Sequence, residues 1–132
     1  MTFANNALAA LILAACVILF APHWALSAER WKPGTVQIGE ASFYGPESGR
    51  VTANGERFRW GPGCRTAAHR RLPFGTMVRV TRLPSGPSLV VRITDRGPAK
   101  WTGRIIDLCQ GAGHALGMRE SGVARVRVEV VR

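Results

Sequence analysis

The spacing of apolar runs and turn residues after residue 35 limits the folds that this chain can adopt. Short apolar runs alternate there with Gly, Pro and Ser, at turn intervals of roughly 8–12 residues. Residues 77–83 and 123–131 alternate apolar with polar side chains, which is the pattern of strands with one buried face. Several short strands with frequent turns are typical of a small closed barrel. The pattern therefore predicts one all-β domain with little helix.

The individual elements follow from the same pattern. Strands are predicted for residues 36–44 with a bend at Gly39, and for residues 77–83, 88–94, 104–108 and 123–131. The second and third of these flank a Pro-Ser-Gly-Pro turn and predict a hairpin. Residues 110–118 predict a short helix that its glycines weaken. The Gly-, Pro- and Ser-rich residues 45–63 predict loops that carry exposed groups.

The N-terminus predicts export. Residues 7–20 form an unbroken apolar run, and no charged residue precedes Glu29. The run is short for a membrane span, which needs about 20 residues, and it suits the hydrophobic part of a secretory signal cleaved after Ala28. A retained membrane anchor and lipid attachment at Cys16, which ends a Leu-Ala-Ala-Cys pattern, are the alternatives.

The predicted organisation has three parts. Residues 1–28 are a signal peptide or an anchor, residues 29–35 are a lead-in, and residues 36–132 are a single domain. We expect this domain in the periplasm or elsewhere in the cell envelope, as a monomer that contacts the membrane only through an N-terminal anchor.

The charge of the chain is strongly positive. All 18 Lys and Arg and all 8 Asp and Glu lie after residue 28, and the net charge is +10. Nucleic acid, anionic lipid and acidic wall polymers are all compatible with such a charge. Export argues against nucleic acid, and so does the lack of aromatic residues interleaved with Arg as a stacking platform.

Cys64 and Cys109 remain once the N-terminal segment is set aside. Two cysteines in a small exported domain predict one disulfide, and two buried free thiols are the alternative. Neither cysteine lies in a Cys-x-x-Cys pattern, and the three His are dispersed. We expect no metal and no cofactor.

Four polar residues are candidates for chemistry, and each has a structural explanation when taken alone. Glu56 lies in a turn and could simply be solvated, and His69 could be a hydrogen-bonded structural group. Asp95 precedes Arg-Gly-Pro and could be a turn former that binds backbone N–H groups. Asp107 could be a strand-end cap.

The combination of motifs resembles the RlpA family, the rare lipoprotein A proteins of the septal ring. The motifs occur in family order at Gly39–Gly45, Thr52–Phe58, Thr66–His69, Leu72–Thr81, Val91–Pro98 and Arg104–Leu108. The resemblance runs from about residue 38 to residue 131 and covers nearly the whole predicted domain. It implies a six-stranded double-psi β-barrel with a groove across it.

The resemblance also implies a function. Members of the family are endolytic peptidoglycan transglycosylases that prefer glycan without stem peptides. Glu56, His69 and Asp95 match the family's functional positions. We expect Asp95 to act as acid and then base, Glu56 to stabilise positive charge or share the proton transfer, and His69 to hydrogen-bond a carboxylate or the sugar.

Three further residues, Tyr44, Asn54 and Arg96, are predicted to bind substrate, with Arg96 receiving carboxylates of the wall polymer. The alternative function is a non-catalytic, expansin-like module that binds wall glycan, because one barrel fold can host both activities.

The chain departs from the family pattern in three places. Residues 59–65 form a longer segment than the family's version, and Cys109 stands where the family has Ser and pairs with Cys64. The sequence ends at Arg132 without the C-terminal glycan-binding domain of many members, so recruitment through that domain is not expected.

Overall fold

The computed structural model describes residues 31–132, which form a closed barrel of six strands. The strands are β1 (Val36–Tyr44), β2 (Thr66–Ala68), β3 (Met77–Arg82), β4 (Ser88–Asp95), β5 (Arg104–Cys109) and β6 (Val123–Val130). One α-helix, α1 (Gln110–Ala115), follows β5, and 3-10 turns lie at Pro46–Ser48 and Lys100–Thr102. The predicted signal or anchor, with Cys16 and the cleavage point after Ala28, lies outside the described residues.

The barrel closes in the strand order β1-β5-β2-β4-β3-β6. β1 pairs with β5 and β2 pairs with β4 in parallel, and the other neighbours are antiparallel. The predicted hairpin is confirmed as β3 and β4, with Val80 opposite Leu89. Closure leaves no strand with an unpaired edge, so the predicted small closed barrel is confirmed.

The core lies inside the barrel and is filled by alternate residues of the strands. In β6, Val126, Val128 and Val130 are buried, while Arg125 is exposed on the other face, as the alternation predicts. Buried valines and isoleucines of β3, β4 and β5 meet them inside the barrel. Burying each such side chain contributes roughly 1.5–3 kcal/mol.

Two details differ from the predicted elements. β2 spans only Thr66–Ala68 and was not predicted, because three residues are too few to show a period. The helix ends at Ala115 rather than at residue 118. Just after this end, Gly117 takes a positive φ of 77°, and Arg82 Nη1 donates to the carbonyls of residues 116 and 117. β1 is one strand, as predicted, and its register with β5 shifts between Glu40 and Ala41, just after the expected bend.

A disulfide joins Cys64, in the loop before β2, to Cys109 at the end of β5, which confirms the predicted pairing. A hydrogen bond also holds this loop: the Gly111 amide of α1 donates to the Trp60 carbonyl at 3.0 Å. A Cβ at position 111 would collide with the Gly61 carbonyl, so this approach requires glycine. The loop is thereby fixed to the start of α1.

Between residues 31 and 132, no helix combines the length and the apolarity that crossing a membrane demands.

The disulfide generates a stability prediction. Replacing both Cys64 and Cys109 by Ser should lower the free energy of unfolding by about 3–4 kcal/mol, because the bond closes a loop of 45 residues in the unfolded chain. Urea unfolding followed by circular dichroism measures the loss. Wild-type protein under a thiol reductant is the control and should match the double variant. Equal urea midpoints for oxidised wild type and the variant would contradict the prediction.

Candidate functional site

The site lies on the outer face of four neighbouring strands. Ser42 of β1 pairs with Asp107 of β5, Asp107 pairs with Ala68 of β2, and Ala68 pairs with Asp95 of β4. Residues paired directly across strands project to the same side of a sheet. The four therefore form a row in which two carboxylates flank a small side chain. At about 4.8 Å per strand, the backbones of Asp95 and Asp107 are roughly 10 Å apart.

Asp95 is the most highly connected carboxylate of the row. Its Oδ1 accepts backbone N–H bonds from Ala53 and Arg96, each at 2.9 Å. Its Oδ2 accepts the hydroxyl of Tyr44 at 3.1 Å. Because Oδ1 already faces two donors that cannot accept a proton, Oδ2 is the oxygen that can carry and exchange one.

Tyr44 holds that second oxygen in place. Its ring stacks flat on Phe58, with centroids 4.5 Å apart and an interplanar angle of 1°. Burial raises the pKa of the phenol, and the nearby charge and hydrogen bond of Asp95 raise it further. The hydroxyl therefore stays protonated and donates to Asp95, and its contact with substrate stays a prediction.

Asp107 is the functional candidate that the sequence pattern undervalued. Its Oδ1 accepts the hydroxyl of Ser42 at 3.0 Å. Burial raises the pKa of the Asp107 carboxyl, the Ser42 hydrogen bond and the Arg104 charge oppose that rise, and the Asp95 charge adds to it. The alternation in β5 puts Asp107 on the face opposite Ile106 and Leu108, but only the strand order shows that this face is shared with Asp95.

Glu56 is an exposed anion held by an arginine. Its oxygens bind Arg92 Nη1 at 2.6 Å and Nη2 at 2.8 Å, and Asn54 Nδ2 also donates to it at 2.9 Å. The hydrogen bonds from Arg92 are the main reason that the pKa of Glu56 is lowered to about 2. Glu56 and Asp95 have no direct hydrogen bond. They are connected through the turn of residues 52–56, because Glu56 lies in that turn and its Ala53 amide donates to Asp95.

The side chain of Asn54 makes its hydrogen bonds within that turn. Its Oδ1 accepts the Thr52 hydroxyl at 2.6 Å and the Glu56 amide at 3.0 Å, while its Nδ2 donates to Glu56. Both polar atoms of the predicted substrate ligand are thus engaged within the turn formed by residues 52–56.

His69 is buried, and its ring binds neither carboxylate. Nδ1 accepts the backbone amides of Arg71 and Leu72 at 3.0 and 2.9 Å, and Nε2 lies 2.9 Å from Gln37 Oε1. Since Nδ1 accepts, the ring hydrogen is on Nε2 and the imidazole is neutral. The predicted hydrogen bond was to a carboxylate or to the sugar, and the ring makes none to a carboxylate here because both nitrogens have other partners.

Burial is the main reason that the pKa of His69 is lowered to about 4, with further contributions from Arg70, Arg96 and Arg71. The backbone of His69 does contact the site, because its amide donates to the Asp95 carbonyl at 3.1 Å. The residue thus helps to fix the end of β4.

Arg96 also has partners inside the protein. Its Nη1 donates to the carbonyls of Leu72 and His69 at 2.9 and 3.2 Å, and the guanidinium lies 3.8 Å from the centre of the Phe74 ring. These contacts fasten the segment after β2 against the end of β4. In the part of the chain that the structure describes, no group of three or more His, Cys, Asp or Glu is arranged to hold a metal ion.

Comparison with known proteins gives sequence relatives along most of the domain. A family described as "Lytic transglycolase" matches residues 36–128. The "Probable endolytic peptidoglycan transglycosylase RlpA" of Nostoc sp. is 59% identical over 96 residues, which is 70% of this chain and 25% of that protein. The "Endolytic peptidoglycan transglycosylase RlpA" of Pseudomonas aeruginosa is 48% identical over 94 residues, 70% of this chain and 26% of that protein. The chain thus spans about a quarter of the length of these relatives.

Solved structures support the fold. The Streptomyces papain inhibitor covers 77% of this chain and 99% of its own, with a TM-score of 0.63 and 20% identity. The expansin of Clavibacter michiganensis covers 74% of this chain and 51% of its own, with a TM-score of 0.58 and 17% identity. At these identities the likeness concerns the fold alone. Together with the family match, it confirms the predicted double-psi β-barrel.

The neutral, buried His69 generates a pH prediction. Its pKa is lower in the folded chain, about 4, than the ordinary value of 6.5, so its stabilising contribution is complete above pH 6.5 and is lost as pH falls towards 4. Between pH 7 and pH 4.5, wild type should therefore lose about 2 kcal/mol more unfolding free energy than His69→Gln, which cannot titrate there. Urea unfolding at both pH values measures the difference. Parallel losses in the two proteins would show that the His69 ring is not held neutral.

Proposed function

This chain belongs to the lytic transglycolase family, and we propose that it is an endolytic peptidoglycan transglycosylase that cuts MurNAc–GlcNAc strands to 1,6-anhydro-MurNAc ends. The observation that carries the proposal is the carboxylate of Asp95, fixed through Oδ1 by two backbone amides and through Oδ2 by Tyr44 at the edge of an outward-facing row. The sequence relatives named as transglycosylases support it, although the chain matches only about a quarter of their length.

The reaction needs one group that first gives and then takes a proton. The acid protonates the oxygen that leaves with GlcNAc while the bond from C1 of MurNAc to that oxygen breaks. The C6 hydroxyl of the same MurNAc then forms a bond to C1, and its proton passes to the carboxylate. The acid is thereby regenerated, and no water is consumed.

Asp95 suits this sequence of transfers. The two amides orient the carboxyl group through Oδ1, and Oδ2 can carry the proton to the leaving oxygen and accept the next one from the C6 hydroxyl. The Tyr44 hydroxyl keeps its own proton, so its role is to hold Oδ2 in one direction. Orientation of this kind lowers the entropic part of the barrier.

Glu56 and His69 act through Asp95 in this proposal. Glu56 is paired with Arg92 and fixes the turn of residues 52–56, whose Ala53 amide binds Asp95. His69 fixes the end of β4 through its backbone and the following segment through its ring. Both are positioning residues here. Arg96 fastens the same end of β4 and is not required to hold substrate.

Asp107 is the second carboxylate of the groove. It lies two strands from Asp95, with the buried Ala68 between them, so a sugar ring that spans the two carboxylates has one on each side. An ionised Asp107 would stabilise the positive charge that develops at C1 and its ring oxygen during bond breaking.

The location follows from the substrate. Peptidoglycan lies outside the cytoplasmic membrane, so we place the domain in the periplasm or the cell envelope, as a monomer on glycan strands. The disulfide of Cys64 and Cys109 supports this placement, since such bonds persist in oxidising compartments. Delivery through residues 1–28, by cleavage after Ala28 or by lipidation of Cys16, remains a prediction.

Asp95→Asn should abolish the release of anhydromuropeptides from peptide-free glycan, because an amide can neither deliver nor accept the proton. Mass spectrometry of the products measures this, and circular dichroism checks that the fold is kept. Glu120→Gln is the matched control, since Glu120 is an exposed acidic residue outside the row, and it should retain full activity. If Asp95→Asn still releases anhydro product, Asp95 is not the acid/base residue.

A binding assay beside the product analysis distinguishes the enzyme from the expansin-like alternative, a module that binds glycan without cutting it. If wild type sediments with purified sacculi and releases no anhydro product, the domain is a glycan-binding module and the proposed function is wrong. Binding together with anhydro ends supports the enzyme.

Asp107→Asn should slow anhydro product release about 10- to 100-fold, because its loss of charge raises the barrier by about 1.4–2.7 kcal/mol. Asn can still accept the Ser42 hydroxyl, so the local structure is kept. Initial rates on peptide-free glycan across pH 4–8 measure the effect, and Ser42→Ala serves as the comparison for loss of the hydrogen bond alone. If Asp107→Asn cuts glycan at the wild-type rate at every pH, the role of Asp107 is purely structural.

A further inference from the structure

Trp60 stands where three surface clefts adjoin, and none of the contacts described for Asp95 involves it. All three clefts are lined by Trp60, and their volumes run from about 440 to 760 Å³. That range lies within the size of small-ligand sites, roughly 300–1,000 Å³. Trp60 is 41% exposed, so part of its surface is accessible to a ligand.

The loop that presents Trp60 is rigidly attached. The Cys64–Cys109 disulfide holds its far end, and the Gly111 amide binds the Trp60 carbonyl itself. Gly61 packs against Gly111 so closely that no side chain fits between them. An aromatic group held in this way loses little conformational entropy when a ligand binds.

The lining of these clefts is basic and contains no acidic side chain. Its arginines are Arg50, Arg57, Arg59, Arg65 and Arg119. Among residues 31–132, the arginines in salt bridges are others, namely Arg79, Arg92 and Arg127. The cleft arginines therefore have no carboxylate partner within the described part of the protein, and a guanidinium fork suits an external carboxylate.

Phe58 links the clefts at Trp60 to the residues around Asp95. Phe58 lines two of the clefts and at the same time stacks on Tyr44, whose hydroxyl binds Asp95. A strand that lies over the row can therefore extend past Phe58 to Trp60. The flat face of a sugar ring suits an indole, which is large, rigid and apolar.

We propose that Trp60 and the neighbouring arginines form an accessory subsite for a muramyl residue of the same glycan strand. The sugar ring stacks on Trp60, and its lactyl carboxylate binds Arg57 or Arg59. The identity of this ligand rests on the proposed function, because that function supplies the strand. The subsite would add affinity and would distinguish muramyl glycan from a neutral polymer of N-acetylglucosamine.

Two soluble ligands of equal length test the subsite, namely a peptide-free GlcNAc–MurNAc oligomer and a neutral GlcNAc oligomer. Isothermal titration is done on full-length protein carrying Asp95→Asn, so that cleavage does not interfere. Adding Trp60→Ala should weaken binding of both ligands about tenfold. Adding Arg57→Gln with Arg59→Gln should weaken the muramyl ligand about tenfold and leave the neutral ligand unchanged, with an effect that shrinks in high salt.

Trp101→Ala is the matched control, because Trp101 is 89% exposed and lies outside all three clefts. It should bind both ligands like the parent, and circular dichroism checks the fold of each variant. Unchanged binding in Trp60→Ala, or equal losses of both ligands in the arginine variant, would overturn the proposal. If Asp95→Asn still cuts glycan, the catalytic assignment fails separately, and the binding pattern, measured at short times, still decides the subsite.

Discussion

The hydrogen bonds of the Asp95 carboxylate hold the groove together. Oδ1 binds the Ala53 amide and so fixes the long loop that follows β1, while Oδ2 binds Tyr44 at the end of β1 itself. Because Tyr44 also stacks on Phe58, the same carboxylate sets the position of the loop's other half. One side chain therefore organises a segment that has almost no regular secondary structure.

The other polar residues near Asp95 support it from different directions. Glu56 and Arg92 brace the turn that carries Ala53, and Asn54 closes that turn internally. His69 and Arg96 fasten the segment after β2 to the end of β4. Each of these contacts is intramolecular, so the surroundings of Asp95 are held in place by the protein's own groups.

The sequence pattern predicts what depends on neighbours along the chain and fails where distant segments meet. The β3–β4 hairpin and the buried face of β6 follow from local alternation. The parallel pairing of β2 with β4 leaves no local signal, so the sequence does not predict that Asp107 shares a face with Asp95. The ring partner of His69 is equally hidden from local patterns, because Gln37 lies 32 residues away on β1.

The disulfide also has a mechanical consequence. Cys109 is the last residue of β5, two positions after Asp107, and its bond runs directly to the loop that presents Trp60. A pull on that loop is therefore carried into β5 by a covalent link as well as along the chain. A glycan strand bound at Trp60, as we propose, would pass its tension into the strand that also carries Asp107.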